Sequence, residues 1–159
     1  MEGKVIILMG SKTDYELSRK IADYLEKFGV GYEFRVASAH KTPEKVLEIL
    51  KEYEADRVVY ITVAGRSDAL SGMVDANTAK PVIACPPYSE KFAGADILSS
   101  LRVPSGIGSV VTLEPEGAAI AAAKILALTD EKLAKKVAEY QMEKRRKIEE
   151  ADSELKETV

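Results

Sequence analysis

Five short runs rich in Val, Ile and other strand-forming residues, separated by longer segments of helical periodicity, constrain this chain more than any other feature. Such alternation is the pattern of βαβ units wound around a parallel sheet. The runs cover residues 5–9, 32–36, 57–63, 82–85 and 110–113. Several are unbroken apolar stretches, as expected of strands that helices cover on both faces. The reading is an α/β protein of three layers, αβα, with a five-stranded parallel sheet at its centre. Its 159 residues suffice for one domain with a substantial core and are too few for two independent ones.

The helical segments carry their own start and stop signals. Thr13 followed by Glu16 reads as a capping box, and Pro43 after Thr42 and Pro115 after Glu114 place proline at a first helical position. Leu17, Ile21, Tyr24, Leu25 and Phe28 form one apolar face that Gly29 ends. Residues 117–128 are dominated by alanine, which suits close contact with another backbone. From Thr129 onward the pattern changes. Leu133, Val137, Tyr140, Ile148, Ala151 and Leu155 form a narrow seam, interrupted by Lys144 and flanked by charges of both signs. Residues 1–128 therefore read as the α/β body. Residues 129–159 read as a helical extension of the same domain, suited to lying across a neighbouring subunit, with a solvated tail as the alternative.

Composition narrows the function classes. A formal net charge of −3 gives no general attraction for nucleic acid, so any phosphate must be held locally by a loop and a helix end. The N-terminal apolar run is too short for a signal peptide, and residues 117–128 are broken by Lys124 and cannot span a bilayer. A cytoplasmic, membrane-free protein is expected. One cysteine, Cys85, and one histidine, His40, form no recognisable metal-ligand cluster, so neither a metal nor a cofactor is expected.

In open parallel sheets ligands bind beyond the carboxyl ends of the strands, where the strand order reverses. The loops at those ends hold the polar residues of interest. After the first strand, Gly10, Ser11, Lys12, Thr13 and Asp14 lead into a helix N-terminus able to hold a phosphate; Ser11 offers a hydroxyl and Asp14 can accept from ribose hydroxyls. The same residues also suit a plain N-cap. After the second strand, Ser38, Ala39, His40 and Lys41 combine an imidazole, a group able to take and return a proton, with an adjacent cation. After the third, Gly65 permits close approach to backbone, Arg66 offers a fork of donors and Ser67 a hydroxyl, although a left-handed turn before an N-cap explains them equally. Cys85 reads as a buried packing residue, and Pro86 and Pro87 stiffen the loop after it.

Taken together, these segments resemble the aminoimidazole ribonucleotide carboxylases and the related N5-carboxyaminoimidazole ribonucleotide mutases of purine biosynthesis. The likeness runs along nearly the whole chain and rests on MGSKTD at 9–14, SAHKTP at 38–43, AGRSDALSG at 64–72, ACPP at 84–87 and SSLRVPSG at 99–106. Mutases typically carry arginine after the active-site histidine and a glycine- and alanine-rich loop ending in a second histidine. Lys41 and GRSDALSG at 65–72 depart from both and point to the carboxylase branch.

The resemblance implies a flavodoxin-like sheet of order 2-1-3-4-5 and direct use of carbon dioxide without ATP, biotin or metal. It also implies a homo-oligomer, an octamer, with sites shared between subunits. It assigns His40 to proton transfer, Ser11, Asp14, Ser38 and Lys41 to the ribose phosphate, and Gly65 and Ser67 to carbon dioxide. One departure stands out: the family loop usually reads AGRSN, and here Asp68 replaces the asparagine, placing a carboxylate near an incoming carboxyl group unless it turns away, pairs with Arg66 or caps the next helix. A non-catalytic flavodoxin-like or receiver-like module is the alternative of another class. The chain has no Trp and no pair of aromatic loops for a flavin, and its first strand ends in Met9, Gly10 and Ser11 without an acidic cluster.

Overall fold

The structure is a computed structural model that describes residues 3–157. Strands β1 (Lys4–Met9), β2 (Gly31–Val36), β3 (Val58–Val63), β4 (Val82–Ala84) and β5 (Val110–Val111) form one parallel sheet in the order β2-β1-β3-β4-β5. Six helices accompany it: α1 (Tyr15–Phe28), α2 (Pro43–Glu52), α3 (Ala69–Ala76), α4 (Leu98–Leu101), α5 (Pro115–Ala127) and α6 (Glu131–Glu157). The expected strands all form, the last two being shorter than the apolar runs that contain them. The short turns and α4 between β4 and β5 have no counterpart in the sequence reading, because a Pro- and Gly-punctuated stretch offers no sustained period.

Two apolar layers sandwich the sheet. On one face Val5, Ile7, Val59 and Ile61 pack beneath α1, α5 and the start of α6; on the other Ile6, Leu8, Val58 and Tyr60 pack beneath α2 and α3. Successive residues of β1 and β3 thus enter opposite layers, which is why, Lys4 and Thr62 aside, both strands are built of apolar and aromatic residues. Edge strand β2 differs: Tyr32 and Phe34 pack towards α1, while the Tyr53 hydroxyl donates to Glu33 (2.7 Å) and accepts from Arg35 (2.8 Å). Charged side chains on an outer strand discourage pairing with another sheet edge.

The helix signals resolve individually. Gly29 ends α1 at φ +70°, with its N–H on the Glu26 and Leu25 carbonyls. Pro43 and Pro115 begin α2 and α5 as expected. The capping box, however, lies one short turn earlier than expected: Ser11 and Asp14 form it around a 3₁₀ turn, Lys12–Asp14, that precedes α1. A Ser–x–x–Asp pair and a Thr–x–x–Glu pair overlap here, and a local pattern cannot rank them.

Alanine on α5 has the packing role its composition suggests. Ala118, Ala119, Ala122 and Ala123 are fully buried where the helix lies against α1 and over β3 and β4. The C-terminal segment is one continuous helix whose first half belongs to the domain's own core. Leu133 and Val137 are buried, and the Tyr140 ring meets Phe28 edge-on at 4.9 Å. Lys144, which interrupts the seam, pairs with Glu116 at 2.7 Å. Beyond it the helix surface is exposed, including Ile148. Residue 128 is therefore no packing boundary. Among the described residues no helix is long and apolar enough to cross a membrane.

Ala122→Leu should overpack the α1–α5 contact and cost about 1–3 kcal/mol, read as a lowered urea midpoint with an unchanged slope.

Candidate active site

The position of the site follows from strand register. Met9 pairs with Val36 on one side and Val63 on the other, so β1, β2 and β3 end level. Neighbouring strands lie about 4.8 Å apart, so three chain exits fall within about 10 Å of one another. The chain runs outward from β1 to β2 and then returns past β1 to β3, which places the reversal of strand order between β1 and β3. The loops leaving these strands diverge and open a cleft of about 420 Å³.

Each residue to which the resemblance gives a site role lies on that cleft: Ser11 and Asp14 from the first loop, Ser38, His40 and Lys41 from the second, Gly65 and Ser67 from the third. Thr13, Arg66, Leu70, Tyr88 and Asp96 add to its walls. Of these, Asp96 had no signal in the sequence reading, because it arrives from the irregular segment after β4, whereas Tyr88 belongs to the proline-stiffened loop after Cys85, which the sequence suits to walling a pocket. His40 sits in the turn before α2 and is exposed on the cleft rim.

The first loop is tightly tied to itself. The Ser11 hydroxyl accepts the Thr13 N–H (3.1 Å), and an Asp14 carboxylate oxygen accepts the Ser11 N–H (3.1 Å). The N-cap reading thus holds for both residues, and these two N–H groups are already engaged. Burial raises the Asp14 carboxyl above its ordinary range, with the Ser11 N–H opposing that rise. Gly10 lies against β3: a Cβ there would meet the Ala64 Cβ at 3.3 Å.

The second loop is closed by Thr42 and Ser38. The Thr42 hydroxyl accepts the Ser38 N–H (2.9 Å), and the Ser38 hydroxyl accepts the Lys41 N–H (3.2 Å). His40 is therefore carried on a turn fixed at both ends. A serine that accepts a local N–H still has its own proton to donate to a ligand.

In the third loop the left-handed residue is Arg66, at φ +61°, and not the glycine before it. A non-glycine residue in this region costs about 1–2 kcal/mol, so surrounding contacts must impose it. Gly65 has a different reason to lack a side chain: a Cβ would lie 3.0 Å from Pro87 Cγ. Asp68 caps α3. Its carboxylate accepts the Ser71 N–H (3.1 Å), the Ser71 hydroxyl (2.8 Å) and the Ser100 hydroxyl (2.8 Å). Three donors satisfy this buried charge, and it faces a separate groove behind the loop, beside Ser99 and Arg102. The carboxylate thus avoids the cleft both by turning away from it and by capping α3.

Burial pushes the Cys85 thiol up to about 11, which suits a packing residue and not a nucleophile. Pro104 to Ile107 form a turn, with Gly106 at φ +85°. Among the described residues no three His, Cys, Asp or Glu side chains gather as a metal-binding group.

Known proteins share this architecture and sequence. The profile of the AIR carboxylase family matches residues 4–147. The phosphoribosylaminoimidazole carboxylase of Archaeoglobus fulgidus is 61% identical over 153 residues, 96% of this chain and 85% of that protein. The N5-carboxyaminoimidazole ribonucleotide mutase of Methanocaldococcus jannaschii is 45% identical, over 96% of this chain and 98% of that protein. The crystal structure of Treponema denticola PurE superposes with a TM-score of 0.95 at 54% identity, covering 98% of this chain and 99% of that one. Sequence and architecture agree along almost the full length, and the chain belongs to the AIR carboxylase family.

Proposed function

We propose that this protein adds carbon dioxide directly to 5-aminoimidazole ribonucleotide, giving 4-carboxy-5-aminoimidazole ribonucleotide without ATP. The observation that carries the reading is the gathering of Ser11, Asp14, Ser38, His40, Lys41, Gly65 and Ser67 on one cleft at the sheet's reversal point. Its volume lies within the range of small-molecule sites. The name of the Archaeoglobus relative, at 61% identity, supports the same choice.

Ser11, Ser38 and Lys41 hold the phosphate, Ser38 through the proton left over after its oxygen accepts a local N–H, Ser11 through a hydroxyl it shares in a hydrogen bond with that of Thr13, and Lys41 through its charge. Asp14, oriented by the Ser11 N–H, receives ribose hydroxyls. Gly65 and Ser67 hold carbon dioxide against the imidazole face. The electron-rich ring carbon attacks the carbon of carbon dioxide. A carbon–carbon bond forms, one C=O π pair moves to oxygen, and the ring carbon becomes tetrahedral while keeping its hydrogen. His40 takes that proton, and the C–H electron pair returns to the ring and restores aromaticity. In reverse, His40 gives it back. Asp68, turned into the α3 cap, leaves the carboxyl end of the site free of its charge.

The second reading, migration of a carboxyl group already carried on the exocyclic nitrogen, has the Methanocaldococcus mutase in its favour. The two differ in what they consume. Purified protein given 5-aminoimidazole ribonucleotide and bicarbonate, without ATP, should form product by absorbance; turnover restricted to the N5-carboxylated substrate would establish the mutase instead.

Removing the imidazole isolates the proton-transfer step. His40→Asn should lower kcat by about 10²-fold or more, the usual worth of a general acid–base group. Ribonucleotide affinity, measured by calorimetry, should stay nearly constant.

The exposed distal part of α6 is proposed to dock on a neighbouring copy in a homo-oligomer, an octamer, whose subunits complete one another's open clefts. Leu133 and Val137 serve the domain's own core, so the informative truncation is after Lys144. That shortened chain should remain folded by circular dichroism and show a smaller mass by light scattering; an unchanged oligomer would remove the distal helix from the interface.

A further inference from the structure

The turn between β3 and α3 is held in shape from outside by a segment some thirty residues further along the chain. The Asp96 carboxylate accepts the Arg66 N–H at 3.0 Å. The Ser99 hydroxyl accepts the Asp68 N–H at 2.9 Å, and its own proton lies within reach of the Arg66 carbonyl at 2.9 Å and the Asp96 carbonyl at 2.8 Å. Ser100 donates to the Asp68 carboxylate at 2.8 Å. On the opposite side, Pro87 abuts Gly65.

Within this clasp Ser99 has a distinct place. Its single oxygen contacts backbone on both sides of Ser67, at the Arg66 carbonyl and the Asp68 N–H. It fixes the two peptide units that orient Ser67 and does so where Arg66 must stay left-handed. Ser99 itself does not line the cleft; it lies along the groove behind the turn. Asp96, by contrast, touches the cleft, and the Ser100 hydroxyl donates to the carboxylate that caps α3. The turn contributes little to either apolar layer, so loosening it affects placement of groups more than global stability. Placement is what matters for bond formation, since an error near 1 Å can lower a rate by about 10²-fold.

We propose that Ser99 is a positioning residue for carbon–carbon bond formation, holding Gly65 and Ser67 at the distance and angle from which they present the one-carbon substrate to the imidazole ring. This rests on the carboxylation reading above.

Ser99→Ala should be compared with wild type in three measurements. Amide exchange at Arg66 and Asp68 should accelerate; kcat/KM for carbon dioxide should fall by about 30–100-fold; and the ribonucleotide Kd should stay within about threefold. Ser99→Thr, which retains the hydroxyl, should keep most of the wild-type rate. A Ser99→Ala protein within about threefold of wild type in kcat/KM for carbon dioxide, or one whose ribonucleotide affinity falls in equal proportion, overturns the positioning role. Failure of the underlying reading looks different: wild type itself would then ignore carbon dioxide and turn over only the N5-carboxylated substrate, and the variant-to-wild-type ratio on that substrate would decide the role of Ser99.

Discussion

The level ending of three parallel strands underlies the whole site. Met9 is paired with Val36 and with Val63, and each partner is followed within a few residues by polar groups that no local hydrophobic pattern would place together. A slip of one residue would turn Tyr32 and Phe34 of β2 away from α1, and in β1 or β3 would exchange side chains of different size between two close-packed layers. Core packing on both sheet faces thus defines the register, and the register sets the cleft. Chemistry at the strand ends is a by-product of filling two apolar layers correctly.

The three loops then rely on different kinds of support. Those after β1 and β2 are self-contained, each closed by a serine, threonine or aspartate bonding to backbone within four residues. The loop after β3 contains a left-handed arginine and is stabilised by Asp96, Ser99, Ser100 and Pro87, all contributed by the irregular stretch after β4. That stretch has little core of its own, yet it shapes one wall of the cleft. Its worth to the fold lies in the contacts it gives to another loop.

Helix α6 divides into two parts with different environments. Up to Lys144 it completes the layer over α1 and α5 through Leu133, Val137 and Tyr140, and Lys136 lies beside Gly29 at the carbonyl end of α1, where a cation is favoured. Past that point its surface is exposed. A three- or four-residue apolar spacing continues through both parts, so the seam alone does not distinguish a face buried at home from one left outside.

Periodicity and punctuation in the sequence were enough to establish the α/β class, the five strands, the proline-started helices and the close-packed alanine helix, because each depends on side chains a few residues apart. The polar residues at the first three strand exits were legible for the same reason: a parallel sheet sends such loops to one edge. Tertiary structure alone decided which overlapping pair forms the capping box ahead of α1, that Arg66 and not Gly65 takes the left-handed conformation, and that Asp68 turns towards Ser71 and Ser100. It also brought in Asp96 and Ser99 across thirty residues. These outcomes depend on contacts between segments that are distant along the chain, and no short-range pattern encodes the geometry of two loops that meet only after the sheet has closed between them.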